Sequence, residues 1–360
     1  MRILHVVGAR PNFMKAAPII RAVTRLGSEF QQLLVHTGQH YDAQMSQIFF
    51  DELELPQPDV NLEVGSGSHA WQTAQIMVRF EPVLLDYQPD WVVVYGDVNS
   101  TLASSLVSSK LGIRVAHVEA GLRSYDRSMP EEVNRLVTDQ IADLLFTPSE
   151  DANINLEREG INPKKIYLVG NVMIDTLVNL LPKAEKKWPA LSERFPFERY
   201  ILVTIHRPSN VDNPATLSEI MTALDAMSLE VPVIFPVHPR TEEQIMAAGL
   251  MPKNSQFLLV DPLGYVDFLA LQVHASLVLT DSGGIQEETT YLGIPCMTAR
   301  ANTERPVTIS LGTNQLIQSK SSSLVPAMRT RLESQNHTHQ IPPLWDGRTA
   351  ERIVQVFQEI

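Results

Sequence analysis

Repeatedly along this chain, a short run of aliphatic and β-branched residues stops at a glycine or polar side chain and yields to a helix-length segment. Runs at 3–7, 33–35, 91–95, 112–116, 143–147 and 166–169 follow this rule. Near-continuous apolar runs of that length predict strands buried on both faces, as in a parallel sheet covered by helices. Residues 182–199 break the rhythm with prolines and scattered charge, and read as a domain-entry segment rather than another helix. The pattern restarts at 200–204, 232–237, 257–260 and 277–280. Two α/β domains of similar size are therefore expected, at 1–175 and 176–345. Apolar periodicity at Ile353, Val354, Val356, Phe357 and Ile360 predicts a closing amphipathic helix over 346–360. Residues 56–61 read as a loop, Phe49 and Phe50 as packing a following helix, the polar strand end at 36–42 as a crevice loop, and 319–340 as a polar tail with room for a surface helix.

Composition narrows the function classes. The chain of 360 residues has a formal net charge of −12. That argues against nucleic acid as a partner, which needs a basic footprint, but allows an anionic small ligand held by a local arginine cluster. The lone Cys296 excludes an internal disulfide framework and reads as a small buried hydrophobe. No stretch has transmembrane length, and Met1 leads directly into a strand-like run, so a soluble cytoplasmic protein is expected.

In open α/β sheets, ligands collect beyond the carboxyl ends of the strands, so the strand edges are where chemistry is to be sought. The first edge, at Gly8–Arg10, lacks the GxGxxG dinucleotide fingerprint. Arg10 and Lys15 read equally as a pair holding phosphate oxygens or as two exposed basic residues. The third edge presents Asp97 after Gly96, either as a catalytic acid or as a capping one. The densest stretch is 116–135, where Glu119 leaves an apolar strand and Pro130 opens a helix. Glu131 and Glu132 lie in that helix's first turn, and Arg135 is four residues beyond Glu131 on the same face. A salt-bridged surface helix accounts for Glu132 but not for Glu119.

The second half offers positive charge. His206 and Arg207 end one strand and His238 the next. Ser282, Gly283 and Gly284 form a tight turn after a strand, and the helix that follows begins with free N–H groups suited to phosphate. Glu287 and Glu288 can cap that helix or meet sugar hydroxyls. Arg300 and Arg305 add cations after the next short strand. Acids in the first domain and cations in the second suit a phosphorylated substrate, bound between the domains, that undergoes proton transfer at its other end. No metal-ligand pattern or nucleophile elbow is present.

The motifs GARPNFMK at 8–15, GQHYD at 38–42, YGDVNSTLA at 95–103, HVEAGLRS at 117–124 and MPEEVNR at 129–135 appear in order. TIHRPSN at 204–210, PVHPR at 236–240, DSGGIQEE at 281–288 and RANTERP at 300–306 follow. In these the chain resembles the non-hydrolysing UDP-N-acetylglucosamine 2-epimerases. The resemblance implies a glycosyltransferase type B-like fold, in which two Rossmann-like domains face across a cleft and the last helix crosses back to the first. It implies a homodimer that inverts C2 of UDP-GlcNAc to give UDP-ManNAc, with no metal or nicotinamide cofactor. Carried over by motif, Asp97, Glu119 and Glu131 are the acid–base and orienting acids. Arg10, Lys15 and His206 steady the diphosphate. Ser282, Gly283 and the helix start bind phosphate beside Arg305, and Glu288 binds the uridine ribose.

The chain departs from the family pattern at two places. Asn12 stands where many members carry glutamate, and Pro208–Ser209 replaces a charged pair after His206–Arg207. The loops at 39–42 and 65–72 lack the arginine-containing form linked with activation by a second UDP-GlcNAc, so little activator dependence is expected. Arg123, Asp126 and Arg127 either shape their loop or meet the sugar's substituents. The same motifs suit a relative acting on UDP-2,3-diacetamido-2,3-dideoxyglucuronate.

Overall fold

The computed structural model describes residues 1–39, 52–334 and 339–360. The chain divides into two units, Met1–Asn179 with Pro343–Ile360, and Leu180–Pro342.

The first unit holds a parallel sheet. Its strands are β1 (Arg2–Val7), β2 (Gln31–His36), β3 (Val60–Asn61), β4 (Trp91–Tyr95), β5 (Arg114–Val118), β6 (Leu144–Thr147) and β7 (Ile166–Leu168). They lie in the order β3-β2-β1-β4-β5-β6-β7. β4 is buried along its whole length, as a central parallel strand covered on both faces must be. The intervening helices are α1 (Arg10–Thr24), α2 (His69–Tyr87), α3 (Asn99–Lys110), α4 (Pro130–Ile141) and α5 (Glu150–Arg158). One core under the sheet is built from Leu4, Val6, Val35, Ile76, Phe80, Val92 and Val94 with their neighbours. Strand order reverses at β1 and β4, and such a switch point leaves a crevice at the strands' carboxyl ends.

A long helix, α6 (Val172–Arg194), follows β7. It overturns the expectation of an irregular segment from residue 182. Pro182 and Pro189 lie within it, both on its exposed side. Leu177, Leu180, Ala184 and Leu191 form a buried stripe along the helix, and that burial outweighs proline's poor propensity.

The second unit carries a parallel sheet in the order β10-β9-β8-β11-β12-β13. Its strands are β8 (Ile201–Thr204), β9 (Val233–Pro236), β10 (Phe257–Val260), β11 (Leu277–Thr280), β12 (Cys296–Ala299) and β13 (Asn314–Ile317). Between them run α7 (Pro214–Ser228), α8 (Pro239–Ala247), α9 (Tyr265–Val273) and α10 (Gly283–Leu292). α11 (Ser321–Glu333) follows β13 and α12 (Thr349–Glu359) closes the chain. The order again reverses, here at β8 and β11. Both units are thus Rossmann-like α/β domains with parallel sheets.

Smaller expectations also changed. Val60 and Asn61, read as loop, extend the sheet edge by pairing with Val35 and His36. The polar stretch after residue 319 contains α11, which packs on α7 and buries Leu324 and Met328. α12 packs on α1, and Phe357 sits edge-on to Trp91 and Phe146. Cys296 is fully buried in β12, and burial pushes its thiol up to about 11. Phe49 and Phe50, expected to pack a helix, and residues 40–42 of the crevice loop lie outside the described residues. No described helix is long and apolar enough to cross a membrane.

Candidate active site

The first constellation forms at the switch point of the first sheet. Gly8 ends β1 so close to α3 that a Cβ there would lie 2.0 Å from Ser100 Oγ. Asn12 in α1 accepts the Gly8 and Ala9 N–H groups at 3.1 and 3.0 Å and donates to the Tyr95 carbonyl at 2.8 Å. One neutral amide therefore ties the start of α1 to the end of β4.

Gly96 follows, with φ +63°, and a Cβ there would meet Lys15 Nζ at 2.7 Å. Lys15 is buried and ion-paired with the buried Glu119, so of the pair Arg10 and Lys15 only Arg10 is exposed. Glu119 leaves β5 with φ +72°, a left-handed conformation that costs a non-glycine residue about 1–2 kcal/mol. Its N–H and that of Ala120 both donate to the Phe146 carbonyl, which holds the strained turn. Strain retained at a strand end beside a buried cation is a mark of functional sites.

Asp97 is paired with Arg135 Nη1. Arg135 also binds Glu132, with Nη2 at 2.7 Å and Nε at 3.1 Å. Glu132 corrects the surface-helix reading. It is 1% exposed and accepts the Ser124 N–H and hydroxyl and the Tyr125 N–H, which pins the loop after β5. Burial would raise its carboxyl, but Ser124 and Arg135 hold it below the ordinary value. Glu131, in the same helical turn, is half-buried and lines a cavity of about 270 Å³ with Gln39, His69, Gln72, Val98 and Asn99. Asp97, Glu119 and Glu131 thus all border the Gly96–Asn99 turn. Arg123 does not face this cavity's lining, because its guanidinium is buried against Asp139 and Glu159.

The second constellation forms at the switch point of the second sheet, around Asp281. This residue is fully buried and received no role from sequence reasoning. Its carboxylate accepts the backbone N–H groups of His206 and Arg207 and the Asn210 amide, and lies 3.1 Å from His206 Nδ1. Burial works to raise its carboxyl, and these donors hold it below the ordinary value. The His206 ring is otherwise exposed. Pro208, part of the departure from the family pattern, opens a helical turn for which Arg207 is the N-cap.

Ser282 occupies the N-cap position of α10 without a side-chain capping hydrogen bond, and Gly283 and Gly284 are the first helical residues. A Cβ on Gly283 would meet Arg305 Nη1 at 2.5 Å, so the glycine lets that guanidinium rest on the helix start. Arg305 is paired with Glu304 and lies 2.8 Å from Glu287, and Arg300 lies 2.8 Å from Glu304. Two arginines and two carboxylates therefore balance in a buried cluster, with Arg207 3.9 Å from Glu304 at its edge. Glu288 accepts the Tyr265 hydroxyl at 2.9 Å. His238 ends the neighbouring β9 and caps α8 by accepting the Arg240 N–H at 3.3 Å.

Sequence reasoning gave Asp281 and Asp139 no role, and it did not assign Glu132, Glu287 and Glu304 as partners of other site residues. Asp281, Glu132, Asp139, Glu287 and Glu304 are buried acids that hold other site residues. The available signal for Asp281 was its place directly before the Ser-Gly-Gly turn.

The sequence profile of a family described as UDP-N-acetylglucosamine 2-epimerase matches residues 23–358. A UDP-N-acetylglucosamine 2-epimerase homolog from Methanococcus maripaludis is 43% identical over 365 residues, covering all of both chains. The UDP-2,3-diacetamido-2,3-dideoxy-D-glucuronate 2-epimerase of Pseudomonas aeruginosa is 41% identical, over 92% of each chain. The crystal structure of Methanocaldococcus jannaschii UDP-GlcNAc 2-epimerase in complex with UDP-GlcNAc and UDP superposes with a TM-score of 0.92. It shares 42% sequence identity and is covered in full by this chain.

Proposed function

The chain belongs to the UDP-N-acetylglucosamine 2-epimerase family, and from that premise we propose how its residues interconvert UDP-GlcNAc and UDP-ManNAc. A base removes the C2 proton while the C1–O bond breaks and UDP leaves with the bonding pair. The product, 2-acetamidoglucal, stays bound. An acid then protonates C2 from the opposite face, and a UDP oxygen adds back to C1. This route needs acid–base groups for both faces of C2 and a cradle that retains UDP.

The first unit supplies the proton chemistry. The observation that carries this assignment is the buried Lys15–Glu119 pair beside the Gly96–Asp97 turn. Asp97, Glu119 and Glu131 are the acid–base and orienting acids, and Arg135 orients Asp97. Lys15 orients Glu119 through their ion pair and supplies positive charge for the departing diphosphate. Arg10, at the exposed start of α1, adds to that charge.

The second unit retains the nucleotide. The start of α10, with Ser282, Gly283 and Gly284, offers N–H groups to phosphate. Arg207, Arg300 and Arg305 supply the charge, and a substrate phosphate would compete with Glu304 and Glu287 for them. His206, held by Asp281, steadies the leaving oxygen. Glu288, oriented by Tyr265, binds the ribose, and His238 contributes from the next strand edge. Membership of the family supports a glycosyltransferase type B-like fold and, we propose, a cytoplasmic homodimer, whose dimeric state sedimentation of the purified protein would test.

The test is the amide series Asp97→Asn, Glu119→Gln and Glu131→Gln. Each variant should keep UDP binding and lose on the order of 100-fold or more in turnover, the usual scale for a positioned acid or base. Wild-type turnover in all three would refute the roles. A second reading rests on the 41% identity to the Pseudomonas aeruginosa enzyme. Under it the same C2 chemistry serves a modified UDP-sugar, and incubation with each sugar nucleotide separates the two.

A further inference from the structure

We propose that His117 and Asp139 are positioning residues for the proposed epimerase reaction, a buried imidazolium–carboxylate pair that fixes the backbone on either side of Asp97 and Glu119. The inference rests on the epimerase reading for its catalytic consequence, but its geometry stands alone.

His117 lies in β5 and is fully buried, as is Asp139 in α4. The ring's Nε2 is 2.8 Å from the Gly96 carbonyl, which can only accept, so Nε2 carries a proton. The ring's Nδ1 is 2.6 Å from Asp139 Oδ1. Asp139 Oδ2 meanwhile accepts the Gly121 N–H at 3.1 Å and lies 2.7 Å from Arg123 Nη2. Burial works to raise the Asp139 carboxyl, but His117 and Arg123 hold it below the ordinary value. A carboxylate that takes the Gly121 N–H and the Arg123 guanidinium on Oδ2 only accepts on Oδ1 too, so the contact with Nδ1 calls for a second ring proton there.

A buried ion pair is a poor way to gain stability, because desolvating both charges offsets their attraction. An aliphatic side chain would fill this strand position, whose neighbours in register are Val94 and Leu145. What the pair supplies is placement. It fastens Gly96 directly before Asp97, and Gly121 two residues after Glu119. Asp139 also belongs to the buried face of α4 that holds Glu132 and Arg135 at spacings of three and four residues. That face grips the Asp97 side chain through Arg135, the Ser124–Tyr125 loop through Glu132, and both strand ends through Asp139.

Asp139→Asn keeps the side-chain shape and removes the charge. His117→Gln keeps one donor for the Gly96 carbonyl. In both, kcat should fall on the order of 100-fold, the scale of a small misplacement of reacting groups, while KM and UDP binding stay near wild type. Nitrogen-15 NMR of labelled wild-type protein at neutral pH should contain one ring with both nitrogens protonated. That signal should vanish in His117→Gln and become a neutral ring in Asp139→Asn. Wild-type kcat in the folded variants, or a His117 ring with one bare nitrogen, would overturn the proposal. If Asp139→Asn does not fold, His117→Gln carries the kinetic arm. If the wild-type protein itself turns over no UDP-sugar, the epimerase reading fails, and the ring spectrum still decides the state of the pair.

Discussion

Glu119 holds a left-handed backbone although it is not a glycine, while Gly96 beside it holds one for steric reasons as well. Gly96→Ala should cost about 1–2 kcal/mol from its backbone alone, and more where the new Cβ displaces Lys15 Nζ. Denaturant unfolding measures the first effect, and the accompanying loss of turnover measures the second. Gly283 is the contrasting case, since it has no positive φ and the ends of the Arg305 and Glu304 side chains crowd it. Gly283→Ala should leave stability within about 1 kcal/mol but weaken UDP binding, read by calorimetry, because the guanidinium must leave the helix start. Asp97 and Glu119 were legible in the sequence because acids directly follow apolar strands. The buried acids that hold other site residues were not. Asp281 is 75 positions from His206, and an acid that holds a neighbour looks the same in sequence as one that meets a ligand.

At the scale of elements, two buried groups make opposite contributions to acid stability. His5 in β1 is enclosed between Tyr95 and Gln32, and burial lowers it from 6.5 to about 4. The unfolded chain therefore takes up a proton first, so this stability is present above pH 6.5 and lost as pH falls toward 4. Asp175 in α6 accepts the Thr349 and Ala350 N–H groups at the start of α12. Burial raises it from 3.8 to about 6, against the pull of those two donors. Its contribution is full below pH 3.8 and is lost as pH rises through 6. Each term is on the order of 3 kcal/mol. Urea midpoints across this range should flatten on the acid side in His5→Gln, and Asp175→Asn should remove the opposing slope. An unchanged slope in Asp175→Asn would mean that helix capping, not burial, governs that carboxyl. Regular strands with abrupt polar ends were readable in the sequence. α6 was not, because prolines mask a buried stripe that only its packing partners reveal, and β3 is too short to carry a period.

For the whole molecule, net charge −12 coexists with arginines gathered around α10. Binding of UDP there should stabilise the folded state by about 2.7 kcal/mol at 100 times its Kd. The amide variants at Asp97, Glu119 and Glu131 should show the same thermal shift as wild type, since none of these three side chains is assigned to the nucleotide. The measurement that bears most directly on the central claim follows C2 of the sugar. Wild-type protein in deuterated water with UDP-GlcNAc should, by NMR, yield UDP-ManNAc and place deuterium at C2 of both epimers, without releasing free sugar. UDP-GlcNAc recovered with its C2 proton intact, or free N-acetylmannosamine accumulating beside UDP, would contradict it.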